Sequence, residues 1–243
     1  MTLRSAVAAA LAAAALHLGL VAGSGPARAD TFGIRKFSIP STSMAPTLLI
    51  NEYIVAVDRP RVARGDLAVH RLPKDNSTVD IKRVIGMPGD RVQIFEGRLH
   101  INGGRTEREA LADFELRDAY DRPQPVRQYR ETLPGGRSHR ILEMSDNGFL
   151  DNAQEYVVPA GHYFMTGDNR DNSSDSRSLA QHGYVPVANI VGRPELVYFS
   201  LAEGESAWQF WRWPWSMEPH VCAGRVGRQW PANGRQGNAK ARG

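Results

Sequence analysis

Short apolar runs, each closed by a glycine, proline or asparagine turn, follow one another from about residue 50 to 200, and helix-period segments are rare beyond the N-terminus. Tyr53-Ile54-Val55-Ala56-Val57, Leu67-Ala68-Val69-His70, Val79 to Ile85, His162-Tyr163-Phe164-Met165, Ile190-Val191 and Leu196-Val197-Tyr198-Phe199 read as strands. Arg91-Val92-Gln93-Ile94 and Arg98-Leu99-His100-Ile101 flank Glu96-Gly97 as a hairpin. This pattern predicts an all-β chain. The 23 glycines and 15 prolines agree with it, because a helical bundle would not tolerate so many breakers.

The N-terminus differs. Arg4 precedes an uncharged Ala/Leu-rich run from Ser5 to about Pro26, and the next charge is Arg28. A charge followed by an apolar run is the plan of an export segment. The run reaches the ~20 residues that a spanning helix needs. It ends in Ala27-Arg28-Ala29, a small-x-small pattern that could be cut after Ala29. Membrane anchor and cleaved signal both stay open, and both put the remainder outside the cytoplasm. The organisation expected is an anchor or signal over 1–29, a catalytic β core over 30–103 and 159–216, an inserted, more polar β subdomain over 104–158, and a basic tail over 217–243. A cluster of Trp208, Phe210, Trp211, Trp213 and Trp215 fits either a core contact or the lipid headgroup level.

The charge is only +4 and weighted to the tail, which is poor support for nucleic-acid binding. A single cysteine, Cys222, allows no internal disulfide and no metal-ligand cluster. None of the seven histidines has paired metal-ligand spacing or stands near a Gly-x-Ser-x-Gly turn. Read as a calcium loop from Asp168, the Asp/Asn-rich segment 167–177 puts Arg170 at the third position, lacks glycine at the sixth and ends on Leu179. That is a poor match. The segment also suits a network of turn hydrogen bonds, or a loop that positions a lysine through a serine and braces itself with an Asp–Arg pair.

Chemistry enters through two residues. Ser43 lies in Ile39-Pro40-Ser41-Thr42-Ser43-Met44-Ala45-Pro46-Thr47-Leu48, and Lys82 lies in the apolar run Ile81-Lys82-Arg83-Val84-Ile85. On a strand, that lysine points either to water or inward. A serine needs a base to become a nucleophile. A free lysine, with a pKa of about 10.4, is almost wholly protonated at neutral pH. Burial lowers lysine pKa values by up to about 3–5 units, so an inward lysine can take the place histidine holds in other serine hydrolases.

These segments resemble the type I signal peptidases of bacteria. The Ser43 segment is similar to their Pro-Ser-x-Ser-Met-x-Pro-Thr-Leu box. Arg64-Gly65-Asp66-Leu67 is similar to the next box, and Ile81-Lys82-Arg83-Val84-Ile85-Gly86-Met87-Pro88-Gly89-Asp90 to the lysine box. Gly167 to Arg177 resembles the last, followed by Gly183-Tyr184-Val185-Pro186 and Val191-Gly192-Arg193. The boxes stand in family order over about residues 37–200. The resemblance implies a coiled β-sheet or partial-barrel core with an inserted β subdomain and no cofactor or metal. It implies Ser43 as nucleophile and Lys82 as general base, with Ser41 and the Ser43 N–H as the oxyanion hole. Ser173 would orient the lysine, and Asp175 with Arg177 would brace the loop. Ile39, Pro40, Met44, Leu48 and Ile81 would line shallow pockets for small side chains. The implied partners are exported preproteins and membrane lipids, near the secretion translocon, with the catalytic domain on the outer side of the inner membrane and no nucleic acid. Three features depart from the family pattern: Asp80, where many relatives carry an aromatic, the alanine-rich N-terminal run, and the basic tail. A self-cleaving repressor-type Ser/Lys protease would need a DNA-binding helical module where this chain has its export segment. A non-enzymatic exported β-domain would not depend on Ser43 or Lys82.

Overall fold

The computed structural model describes residues 33–58, 61–117, 122–200 and 224–225. The apolar segment of 1–29, the aromatic cluster at 208–215 and nearly all of the tail over 217–243 lie outside the described residues. Among the described residues no helix is long and apolar enough to cross a membrane.

The described chain is built from strands, with two single 3-10 turns at Arg170–Asn172 and Val187–Asn189. It opens with β1 (Ile34–Ser38), β2 (Glu52–Val57), β3 (Leu67–Arg71) and β4 (Val79–Gly86). Then come β5 (Arg91–Phe95), β6 (Arg98–Ile101), β7 (Gly104–Arg105), β8 (Glu107–Ala110), β9 (Phe114–Arg117), β10 (Pro123–Thr132), β11 (Ser138–Glu143) and β12 (Tyr156–Val157). The chain returns through β13 (His162–Thr166), β14 (Val185–Pro186), β15 (Ile190–Ser200) and β16 (Gly224–Arg225). The principal sheet runs β1-β2-β15-β3-β4-β13-β14, with β16 on β15. Residues 33–86 and 162–200 therefore build one sheet although about 75 residues separate them in sequence. Strands β12-β5-β6-β7 form a second sheet, and β8, β9, β10 and β11 form a third. The all-β expectation holds. Ile190-Val191 and Leu196 to Phe199 belong to one strand, β15, whose pairing shifts register against both β3 and β2.

Strand chemistry explains the layout. In β2 alternate residues face inward, with Ile54 and Ala56 buried and their neighbours partly exposed, as period-2 patterning requires. The inner strand β4 is buried along six consecutive residues, Ile81 to Gly86, because it is covered on both faces. Lys82 and Arg83 fall inside that run, so each must find a partner or be left as a costly buried charge. Ile39, Met44, Leu48, Ile54, Leu67, Val69 and Ile81 share one apolar cluster. Fully burying a side chain of this kind contributes roughly 1.5–3 kcal/mol. The cluster holds the serine segment against β4.

Candidate active site

Ser43 sits in a run of tight turns between β1 and β2. Ala45 N–H donates to the Thr42 carbonyl at 3.0 Å, and Thr47 N–H donates to the Met44 carbonyl at 2.9 Å. Met44 and Leu48, almost fully buried, anchor this knuckle from below, while Ser41 stays exposed. The 167–177 loop grips it from the side. Asn169 N–H donates to the Ser43 carbonyl at 3.1 Å, and the Asn169 and Asn172 amides donate to the Thr42 carbonyl and hydroxyl at 3.2 and 2.8 Å.

Lys82 comes in from β4. Its Nζ lies 3.1 Å from Ser43 Oγ, and the side chain is 2% exposed. Of the two orientations left open by the sequence, the inward one is observed. Ser41 Oγ is 3.1 Å from Ser43 Oγ, and Ser41 is exposed. Nζ also donates to both Asp80 carboxylate oxygens, at 2.8 and 2.7 Å, and to the Ile81 carbonyl at 3.2 Å.

The adjacent Arg83 points the other way from the strand. It donates to Asp168 through Nε at 2.8 Å and Nη2 at 2.6 Å, and to the Gly65 carbonyl at 2.7 Å. Thr47 donates to the same carboxylate. Consecutive strand residues thus bind opposite sides of the site: Lys82 meets Ser43, and Arg83 locks the knuckle, the Arg64-Gly65-Asp66 turn and the 167–177 loop together. The sequence reading missed this role of Arg83 and Asp168. The available signal was a second cation in a fully apolar run, which demands a buried anion.

Asp175 and Arg177 meet as a buried pair, with Nε to Oδ1 at 2.8 Å and Nη2 to Oδ2 at 2.9 Å. Burial alone would raise the Asp175 carboxyl, but Arg177, helped by the Gly167 N–H, holds it below its ordinary value. Burial works against the Arg177 charge as well, and Asp175 outweighs it. Ser173 Oγ is buried without a hydrogen-bond partner of regular geometry, although it lies close enough to Asp175 to favour the ionised carboxylate. The Lys82 amine donates to Asp80, the Ile81 carbonyl and Ser43, and not to Ser173. Ile39, Met44, Leu48 and Ile81 are buried together beneath the serine, and Pro40 is exposed beside it.

Metal-capable side chains converge at two places among the described residues, His70/Asp80/His182 and Glu143/Asp151/Asp171. At the first, Asp80 is taken up by Lys82 and the two imidazoles bond each other at 3.0 Å. At the second, Arg108 approaches Glu143 to 3.6 Å and Arg170 adds positive charge. Glu143 is nonetheless pushed up to about 8, by burial first and by Asp171 and Asp151 against the pull of Arg170 and Arg108. A carboxyl that ionises near 4.5 when unfolded and near 8 when folded takes up a proton on folding throughout that window. Stability therefore falls as pH rises from 4.5 to 8. Glu143→Gln is expected to melt close to the wild type at pH 4 and several degrees above it at pH 8. A Tm difference that does not change with pH would refute the assignment.

Comparison with known proteins identifies the family. Residues 7–199 match the model of the family described as signal peptidase, peptidase S26. The signal peptidase I of Rickettsia typhi is 32% identical over 194 residues, covering 68% of this chain and 71% of that protein. The signal peptidase I of Rickettsia akari is 31% identical with the same coverage. A solved signal peptidase I from Enterococcus faecalis V583 is 25% identical, spans 55% of this chain and 96% of that chain, and superposes with a TM-score of 0.32. A family match over most of the chain, together with relatives above 30% identity along most of their own length, settles the assignment: this chain belongs to the signal peptidase family of peptidases, S26.

Proposed function

We propose that the chain removes signal peptides from exported preproteins through a Ser43 acyl-enzyme, with Lys82 as general base. The observation that carries this reading is a buried amine 3.1 Å from a serine hydroxyl, inside the boxes of a signal peptidase. Neutral Lys82 takes the proton of Ser43 as Oγ attacks the scissile carbonyl, and the electron pair of that C=O bond moves onto oxygen. The Ser43 N–H and the Ser41 hydroxyl stabilise the oxyanion. Lys82 then hands its proton to the leaving amine and later activates the water that frees the acyl group. Ser173, a buried hydroxyl still in want of a partner, is the group that would steady the amine once substrate closes the mouth. Asp175 and Arg177 keep its loop in place.

Ile39, Pro40, Met44, Leu48 and Ile81 would form pockets that admit alanine and exclude larger groups, with the substrate extended as an added strand. The sheet of β8–β11 would be the inserted subdomain. The segment 1–29 would anchor the enzyme in the inner membrane, beside the translocon, with the catalytic domain on the outer face and lipid as its neighbour.

The test is incubation of the full chain in detergent with a purified preprotein, with the new N-terminus read by mass spectrometry. Cleavage is expected after a small-x-small site. Replacing the alanine at the cleaved position by phenylalanine is expected to lower kcat/KM by at least about 100-fold, since a filled pocket rejects the added volume. Cleavage indifferent to that residue, or none at all, would overturn the reading.

A further inference from the structure

Asp80 lies two residues before Lys82 on β4, so the pleat sets both side chains on one face. Its carboxylate is fixed from behind by the Ile81 N–H, which donates to Oδ1 at 2.7 Å. The ion pair is asymmetric: Lys82 is 2% exposed and Asp80 28%. His70 on β3 stands opposite Asp80 in the strand register. The Nε2 atom of His70 bonds Nε2 of His182 at 3.0 Å, and His182 Nδ1 lies 4.0 Å from Asp80 Oδ2. Burial, then His182, lowers His70 to about 3, and burial also lowers His182. Asp175, the next carboxylate along, is taken by Arg177. Among these groups Lys82 is the cation that Asp80 answers.

Resting on the Ser43–Lys82 reading above, we propose that Asp80 is the positioning residue of the catalytic lysine, aiming its amine at Ser43 and balancing its charge while it is protonated. The amine has three free tetrahedral directions, and they point to Asp80, the Ile81 carbonyl and Ser43 Oγ. As an ammonium, three hydrogens fill them. Once one proton is lost to solvent through the exposed edge of Asp80, the two remaining hydrogens stay on Asp80 and the Ile81 carbonyl. The lone pair is then left on the line to Ser43, ready to accept the Oγ proton. One geometry serves both states. The carboxylate's charge is a separate contribution: with a neutral residue in its place the amine is expected to give up its proton more readily.

Two variants separate aiming from charge. Asp80→Asn keeps an acceptor oxygen and removes the charge, while Asp80→Ala removes both. With preprotein as substrate, the acid limb of the kcat/KM profile of Asp80→Asn is expected to move about one to three pH units lower. The variant should therefore outpace the wild type at pH 7 by roughly tenfold or more. Asp80→Ala is expected to share the moved limb but to lose at least about tenfold in plateau kcat with KM unchanged, because its amine is no longer aimed. A limb that stays in place in Asp80→Asn overturns the proposal, whether Tm is unchanged or lowered, since a merely structural role would move only Tm. If the wild type cleaves no preprotein, the functional reading fails on its own. The role of Asp80 is then decided separately by NMR titration of the Lys82 amine nitrogen in wild type and Asp80→Asn, where coincident curves would end it.

Discussion

Lys82→Met is expected to lower kcat for preprotein cleavage by at least about 10⁴-fold while leaving the fold intact. The loss is that large because Ser43 and Lys82 act as one unit, and removing either member of such a unit forfeits nearly all of the rate it provides. Methionine suits the site: Lys82 is 2% exposed, and an unbranched apolar chain of similar length fills the same channel. Asp80, left without its cation, is 28% exposed and can take water instead, so the variant should melt within a few degrees of the wild type. Ser43→Ala is expected to lose as much. The double variant should lose no more than either single, a non-additivity that independent contributions would not give. Purified variants compared by kcat and by thermal unfolding decide the matter. A Lys82→Met enzyme retaining a tenth of the wild-type rate would end the role of Lys82 as base.

The strands flanking the site were readable because their burial is one-sided or complete. Tyr53 to Val57 is an unbroken apolar run, and Ile81 to Gly86 is apolar apart from its two cations, so β2 and β4 announce themselves by pattern. Segment 104–158 was harder. β10 is ten residues long, yet it carries glutamine and glutamate among its buried positions, and ion pairs such as Arg170–Glu131 offset that burial across elements far apart in sequence. No local pattern reveals a partner that distant. The pairing of Ser43 with Lys82 was legible only through the ordered boxes, because spacing alone does not bring together residues 39 apart. Asp80 was the opposite case. Its i, i+2 relation to Lys82 places the two on one face of any strand, so the ion pair was within reach of the strand assignment, although the position was read there only as a departure from the family pattern. The partner of His70, by contrast, needed the fold: His182 is 112 residues away.

Gly167→Ala is expected to disable the enzyme from outside the catalytic pair. Gly167 ends the run out of β13 at the point where the 167–177 loop presses on the serine knuckle, and its N–H donates to Asp175 Oδ2 at 2.9 Å. A methyl group there would stand 2.5 Å from the Ser43 carbonyl oxygen and 2.5 Å from Ser173 Cβ, and it would overlap the Ser173 hydroxyl. Two of these neighbours cannot swing away, since one is main chain and the other is the first carbon of a side chain in a braced loop. The Ser43 carbonyl must shift, and its bond from Asn169 N–H at 3.1 Å goes with it. Overpacking of this kind costs about 1–3 kcal/mol. The larger consequence is kinetic, because misplacing a nucleophile by about 1 Å costs on the order of 100-fold in rate. Gly104→Ala is the control. The nearest atom to its new methyl group is the Ile101 carbonyl oxygen at 3.5 Å, an ordinary contact, so neither Tm nor kcat should change beyond the small effect of any surface substitution. If Gly167→Ala cleaved preprotein at the wild-type rate, the serine knuckle would have to be free to yield, and the tight docking of the 167–177 loop against Ser43 could not be what sets the nucleophile in place.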